Sequence, residues 1–496
     1  MGIVQRNSVK ITIISYIGVV IGYFNKILLF PNFLSPEQVG LANILINIAV
    51  VYAQFSAFGM PWITLRFFPY FNDKSKQHHG FLFWALFLSL LGFLIITFIF
   101  LIFQPAIINY YTKNSPLLVE YGLYIIPLAL ATILYNLFDG YLRSLMKTVV
   151  PTIVNEIILR LLITVSISLY ALKWVTFHEF VMIYLAFNCS AALILVLYTG
   201  FLKQLLIKPE WNTILKRLWP ILLNFGFYSI LSNMSYILMS NIDSIMVASM
   251  LGLKETGIYT TIFFIAAVML IPYRSLVRVA SPLVAQYWKN REMKKMDELY
   301  KKITLINMIL GCLLFLGLWI NIDNIFSFIP KDYASGKYVF LFLGIGRLVD
   351  MVTGVNGIIL VTSKKYRYDL IFAFFLIALI VIMNLFFIPL YGIIGAAIST
   401  MLTLIILNIL RIFFILKIFN MQPFDTKSIW VLLISGVTLA IMYFIPFLVN
   451  TYVDIFIRSS LCFLLFMTPV YFLKLSEETN VYINNILKMA GIKTDH

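Results

Sequence analysis

Residues 33–71 read FLSPEQVGLANILINIAVVYAQFSAFGMPWITLRFFPYF, and 217 residues further on 250–288 read MLGLKETGIYTTIFFIAAVMLIPYRSLVRVASPLVAQYW. In this register Leu34 falls on Leu251, Gly40 on Gly257 and Tyr70 on Tyr287. The same offset lays Asp139-Gly140 on Asn356-Gly357 and Lys147 on Lys364. One offset that survives over more than a hundred residues is hard to obtain by chance, so the chain reads as two copies of one unit.

Composition sets the solvent of that unit. With 61% hydrophobic and 12% charged residues, and a mean hydropathy of +0.95, the chain has too little polar surface for a soluble globule. Apolar runs long enough to cross a hydrocarbon core of about 30 Å recur throughout. They lie near 11–31, 40–63, 80–103, 118–138, 151–172, 178–201, 220–248, 256–280, 303–322, 336–361, 369–390, 392–416, 428–449 and 452–473, an expectation of about fourteen transmembrane helices. The first run lacks the short apolar core and small-residue cleavage site of a removable signal, and is expected to be a retained helix. Transmembrane strands would be about ten residues long with alternating polarity, which these runs are not.

A net charge of +16 could suggest nucleic acid, but its placement argues for topology. With connections assigned alternately, one side holds the N-terminus, segments near 70–79, 139–150, 202–218, 288–302, 363–368 and 411–427, and the C-terminal tail. That side carries 25 of the 37 Lys and Arg residues. The other carries Lys113, Lys173, Lys254, Lys331 and Lys337. Such asymmetry is the positive-inside pattern, which puts both termini in the cytoplasm and makes the helix count even. The excess charge also suits anionic lipid, and no nucleic-acid partner is expected.

Cys189, Cys312 and Cys462 lie far apart within apolar runs, and the four histidines form no cluster, so no metal site is expected. The longest connections, such as WKNREMKKMDELYKK at 288–302, read as short amphipathic cytoplasmic helices. No phosphate loop, nucleophile elbow or paired aqueous carboxylates occur, so neither an enzyme nor a cofactor is expected. Transport without a built-in catalytic domain is the simpler reading.

The offset then gives an all-α polytopic membrane architecture. Residues 1–217 form one six-helix bundle, 218–427 a second, and 428–496 an extra transmembrane pair with a cytoplasmic tail. Because six is even, the two bundles cross the membrane in the same sense, around a central cavity.

Three stretches resemble a known family. LSPEQVGLANILINIA (34–49), NIDSIMVASMLGLKETGIYTTIFFIA (241–266) and IMNLFFIPLYGIIGAAISTML (382–402) resemble polysaccharide lipid-carrier flippases of the O-antigen type. The resemblance covers roughly residues 1–420. It places the chain in the superfamily that also holds multidrug and toxin extrusion antiporters and lipid II flippases. The resemblance implies a polyprenyl-pyrophosphate-linked oligosaccharide turned from the inner to the outer leaflet of the bacterial inner membrane, by alternating access, for surface polysaccharide or lipopolysaccharide synthesis. The expected partners are that cargo and membrane lipid; a polysaccharide polymerase or glycosyltransferases could also touch the protein, which is expected to be a monomer. The alternatives are a cation-coupled multidrug antiporter, a lipid II flippase, which the last helix pair resembles, and a membrane glycosyltransferase. That last reading wants a large extracytoplasmic loop with acidic residues, and the loops here are short.

A flippase for a pyrophosphate needs cations in a wet cavity, and intramembrane charges are functional candidates because each costs about 2.5–3.5 kcal/mol to insert. Lys26 lies deep in the first span, and the offset puts Asp243 at the matching place. The two could pair in one state and part in another; alternatively Lys26 binds phosphate, or snorkels to an interface, and Asp243 binds a coupling ion. Glu156 and Arg160, four apart, share a helical face and read as a self-neutralising pair; Arg347 and Asp350 repeat this at a spacing of three. Arg274 and Arg278 could receive pyrophosphate bidentately at the inward mouth or simply anchor the interface, and Arg66 has the same ambiguity. Asn47 and Gln54 share a face of the second span and could line a sugar path or bond a neighbouring helix. The substrate-binding candidates are therefore Lys26, Arg66, Arg160, Arg274, Arg278, Arg347, Asn47 and Gln54, and the ion-coupling candidates Asp243, Glu156 and Asp350.

Overall fold

The first span shows how this sequence makes a membrane helix. Residues of Gly2–Tyr23 are helical without a charge after Lys10, and their exposed faces carry Ile13, Ile17 and Val20. In lipid every backbone amide must be bonded within its own segment, so a continuous apolar run has to coil. A computed structural model describes residues 2–489 apart from 113, 211, 212 and 366; Lys113 lies outside the described residues.

The described chain is helical throughout, with no strand. The principal helices are α1 (Gly2–Tyr23), α2 (Pro36–Ser56), α3 (Met60–Phe67), α4 (Phe81–Thr112), α5 (Ile125–Ser144), α6 (Leu159–Ala171), α7 (Phe177–Phe201), α8 (Thr213–Met250), α9 (Leu253–Ala267), α10 (Leu270–Asn290), α11 (Met293–Ile320), α12 (Lys337–Val352), α13 (Asn356–Thr362), α14 (Arg367–Phe419), α15 (Thr426–Tyr443), α16 (Thr451–Phe472) and α17 (Glu477–Met489). Among the described residues ten helices are long and apolar enough to cross a membrane, or twelve if each of two bent pairs counts as one span. The protein is an all-α, multi-pass membrane protein, while the expected count of fourteen is not reproduced on those criteria. The bends explain part of the difference. The run expected at 256–280 bends by 51° between α9 and α10, and that at 336–361 bends by 51° between α12 and α13, where Gly354 has φ +68°. α14 has 53 residues, about 80 Å at 1.5 Å per residue, far beyond one crossing. It breaks at Gly392, with φ 59° and ψ −137°, where the span expected at 369–390 gives way to that at 392–416.

The second span ends early for a local reason. Ser35 and Gln38 form a reciprocal capping box that starts α2, and Pro36 takes the first helical position. Phe58 and Gly59 then both take positive φ, so the run expected to continue to 63 stops at Ser56 and restarts as α3. The basic segment 288–302 is likewise not a separate surface helix; from Met293 it forms the opening turns of α11.

Packing divides the chain into two compact units, Met1–Thr261 and Ile262–His496. The first keeps one cluster around Phe30, Leu45, Ile133 and Phe180 and another around Phe68, Phe81, Phe138 and Tyr141. The second centres on α11 with α15 and α16, through Met308, Cys312, Val431, Cys462 and Phe466. The unit boundary falls beyond the division expected at 217/218 because α8 packs along α2. Outward faces stay apolar: Leu94, Phe98 and Ile102 on α4 are largely exposed, as lipid-facing residues are.

Candidate functional site

Two π-helical insertions lie in the first unit, and each carries a candidate charge. Phe24–Leu29 holds Lys26, and Val154–Ile158 holds Glu156. A π turn adds one residue to a helix and turns side chains off the regular stripe, and such turns frequently mark functional sites. The two segments are tied together. Buried Asn25 donates from Nδ2 to the carbonyl of Arg160 at 2.9 Å and accepts at Oδ1 from Thr164 at 2.9 Å. Arg160 pairs with Glu156 and donates to the carbonyl of Gly18. A Cβ at Gly22 would overlap Arg160 Nη1, so a glycine is what lets the guanidinium lie against the first span.

Lys26 sits in a polar-aromatic box. Its Nζ donates to Asn43 Oδ1 at 2.5 Å and stands 4.5 Å from the ring centroid of Phe30 and 5.9 Å from that of Tyr184. Asn43 passes the bond on, donating from Nδ2 to Thr260 Oγ1 at 2.9 Å. Asp243, 217 residues on from Lys26, is buried and accepts from the Tyr259 hydroxyl at 3.1 Å. The two matched charges thus each have a neutral hydrogen-bonding partner on the second helix of their own copy. One turn along α2, Asn47 donates to Ser244 Oγ at 2.8 Å. Gln54 is half-buried on that helix, with no hydrogen bond among the described residues. Arg66 is exposed and lies over the Phe225 ring at 4.4 Å and the Phe67 ring at 5.4 Å.

In the second unit, Arg347 and Asp350 part company. Arg347 is buried in α12, its guanidinium 4.9 Å from the Phe263 ring, and its Nε finds no partner. No hydrogen bond or ion pair reaches Arg347 among the described residues. Asp350 instead accepts from Asn408 Nδ2 at 3.4 Å. The self-neutralising pair expected at a spacing of three does not form, because the two side chains leave α12 toward different neighbours. Asn408 Oδ1 accepts from Thr353 Oγ1 and Asn356 Nδ2, each at 2.8 Å. Nearby Arg411 pairs with Asp369 at 2.7 Å. Arg274 and Arg278 are both exposed on α10, one turn apart. No group of three or more His, Cys, Asp or Glu side chains able to hold a metal ion occurs among the described residues.

Sequence reasoning missed Asn43, Thr260, Tyr184, Asn408 and the Arg411–Asp369 pair. Asn43 and Thr260 were within reach, since they are 217 apart and occupy matching positions of the repeat. Nothing local distinguishes Asn408 from other asparagines in apolar runs.

Comparison with known proteins follows the same lines. A family model described as polysaccharide biosynthesis protein matches residues 4–288, and another, MatE, matches residues 229–387. An uncharacterized membrane protein of Methanocaldococcus jannaschii is 22% identical, covering 95% of this chain and 96% of that one. The capsular polysaccharide biosynthesis protein CapF of Staphylococcus aureus is 20% identical over 48% of this chain and 60% of its own. The probable low-salt glycan biosynthesis flippase Agl15 of Haloferax volcanii is 20% identical over 55% of this chain and 58% of its own. Among solved structures, the lipid II flippase MurJ in an inward closed conformation superposes with a TM-score of 0.71 at 17% identity, over 93% of this chain and 98% of that one. An inward-facing multidrug resistance MATE family transporter superposes with a TM-score of 0.60 at 15% identity, over 85% and 94%. At these identities the structural likeness speaks for the fold alone.

Proposed function

The chain belongs to the polysaccharide biosynthesis protein family, and from that premise we propose that it is a flippase for polyprenyl-pyrophosphate-linked oligosaccharide. Family and fold are those of transporters and flippases in polysaccharide biosynthesis rather than of enzymes. The cargo passes from the cytoplasmic to the outer leaflet of the inner membrane, for a surface polysaccharide of the O-antigen type, by alternating access. Both termini face the cytoplasm, residues 1–217 and 218–427 act as the two repeats, and 428–496 adds a helix pair.

The observation that carries this reading is Arg347, a buried cation in a membrane span whose Nε has no partner and which no carboxylate or hydrogen-bond acceptor reaches among the described residues. Such a group costs free energy until an anion arrives, and pyrophosphate oxygens would accept from its fork bidentately. Lys26 supplies a second cation, in the first repeat, held by an amide and two rings that can release it. Arg160 is bonded to Glu156 and Gly18, which suits a support for the first span better than a cargo ligand. The exposed Arg274 and Arg278 fit capture of the phosphates at the cytoplasmic mouth.

The test is export of surface polysaccharide in cells carrying Arg347→Ala or Lys26→Ala, with membrane expression matched to the parent. Loss of export with accumulation of the lipid-linked intermediate is expected, and normal export in both would end the cationic-site proposal. A second reading, a cation-coupled drug antiporter, draws on the MatE match and on buried Asp243. It requires drug resistance that Asp243→Asn removes.

A further inference from the structure

The repeat offset reappears as a contact. Gly40 and Gly257 are matched positions, and their helices α2 and α9 cross there almost backbone to backbone. A Cβ at Gly40 would overlap the Leu253 carbonyl and come within 3.0 Å of Gly257 N; one at Gly257 would overlap the Pro36 carbonyl and come within 3.0 Å of Gly40 N. One turn on, the matched residues Asn43 and Thr260 are hydrogen-bonded at 2.9 Å. Two matched pairs in mutual contact mean that the local two-fold relating α2 to α9 runs between them.

Beside the start of α9, the segment between α4 and α5 is bonded to the last turn of α8. Asn114 Nδ2 reaches the carbonyls of Ser249 at 3.2 Å and Met250 at 3.3 Å, and Ser115 Oγ reaches that of Ala248 at 2.9 Å. Gly252, at φ +107°, lies so close to the Asn114 carbonyl that a Cβ would overlap it. Under the positive-inside assignment this end is extracytoplasmic.

We propose that the α2–α9 crossing is a closed gate on that side, that Asn43 and Thr260 are its latch and that Lys26 is its trigger, so that an anion bound by Lys26 loosens the latch. One amide makes both bonds: Asn43 offers Oδ1 to the Lys26 amine and Nδ2 to Thr260. Thr260 Oγ1 donates to the Thr256 carbonyl at 2.8 Å and so accepts from Asn43, and a single orientation of the amide serves both partners. When the amine turns to a phosphate oxygen, Oδ1 loses a charge-assisted donor in a buried place, and the cost of leaving it unbonded favours an amide turned away from Thr260. Anion binding and latching then oppose one another, and by linkage each weakens the other to the same degree. This rests on the flippase reading for the identity of the anion, but the latch itself needs no cargo.

The experiment uses the full-length protein with Cys189, Cys312 and Cys462 replaced by Ala, and a reporter pair Ser115→Cys with Ala248→Cys. The rate of disulfide formation between these two under copper phenanthroline reports closure, and sodium pyrophosphate is the anion probe. Thr260→Val should slow crosslinking about fivefold, the population effect of one net hydrogen bond, and Thr260→Ser should restore it. Pyrophosphate should slow the parent and leave Lys26→Met unaffected. Gly257→Ala, which wedges the crossing while keeping both latch side chains, should also slow it. A rate indifferent to Thr260→Val, or a pyrophosphate effect that survives Lys26→Met, overturns the proposal. Responsive crosslinking in a protein that exports no polysaccharide would instead sink the flippase reading alone.

Discussion

Glu156–Arg160 and Arg347–Asp350 look alike in the sequence, each an arginine and a carboxylate within one helical turn, and the molecule treats them oppositely. The first closes on itself and ties the fifth span to the first through Gly18. The second stays open: Asp350 joins an amide cluster around Asn408, and Arg347 lies against Phe263 with its Nε unbonded. A third pair, Asp454–Arg458 in α16, is the extreme of the closed kind. It is buried at 1% and 2% exposure, bonded at 2.8 Å, and satisfied further by Asn324, the Leu448 amide and the Ile445 carbonyl. A charge whose bonds are all made inside the protein supports the fold; one left open in a span is a candidate to bind something else.

That contrast breaks most visibly at α16. Asp454→Ala strands a buried guanidinium and should cost about 3–5 kcal/mol, measured as denaturant unfolding of the purified protein in detergent, whereas Asp454→Leu with Arg458→Met should recover most of it. Arg160→Ala removes charge-assisted bonds to a carboxylate and a carbonyl and should cost about 1.5–3 kcal/mol in the same assay. Arg347→Met should do the reverse of both. It should leave the melting temperature unchanged or raised while lowering polysaccharide export about tenfold or more, the loss of one charge-assisted bond to cargo. A melting temperature that falls as far as that of Arg160→Ala would put Arg347 among the structural charges.

The smallest effect comes from the loop before α4. Asp73 accepts from the Ser75 hydroxyl at 2.6 Å and from the Ser75 and Lys76 amides, and the Ser75 bond first of all holds its carboxyl below the usual carboxylate range. A lowered folded value means that this turn's contribution is present above the ordinary carboxylate range and is lost as the pH falls through the lowered value. Limited proteolysis between 70 and 79 should therefore quicken only in strong acid. Asp73→Asn should be cut at one rate across that window.

Much of the fold was legible because the bilayer leaves a chain few options. Apolar runs have to be helices, and the return at Gly392 was readable from the glycines and alanines that follow it. The break at Phe58-Gly59 and the bends after Ala267 and Val352 were not, since a run's hydropathy is blind to a few residues of changed φ. The offset of 217 already paired Gly40 with Gly257 and Asn43 with Thr260, but only the structure turned a similarity into a contact. For the charges, spacing on one helix told which face they share. It could not tell what faces them, so pairs spaced by four and by three were read alike.

The sequence by itself determined an all-helical membrane protein of the polysaccharide biosynthesis family, because hydropathy acts along the chain and needs no partner. Only the tertiary structure decided which charges are silent and which are open. Whether a buried charge is satisfied depends on donors and acceptors tens to hundreds of residues away, such as Arg160 beneath Gly18 or Asn408 beside Asp350, and on glycines that let backbones meet. Those distances exist only once the helices have packed.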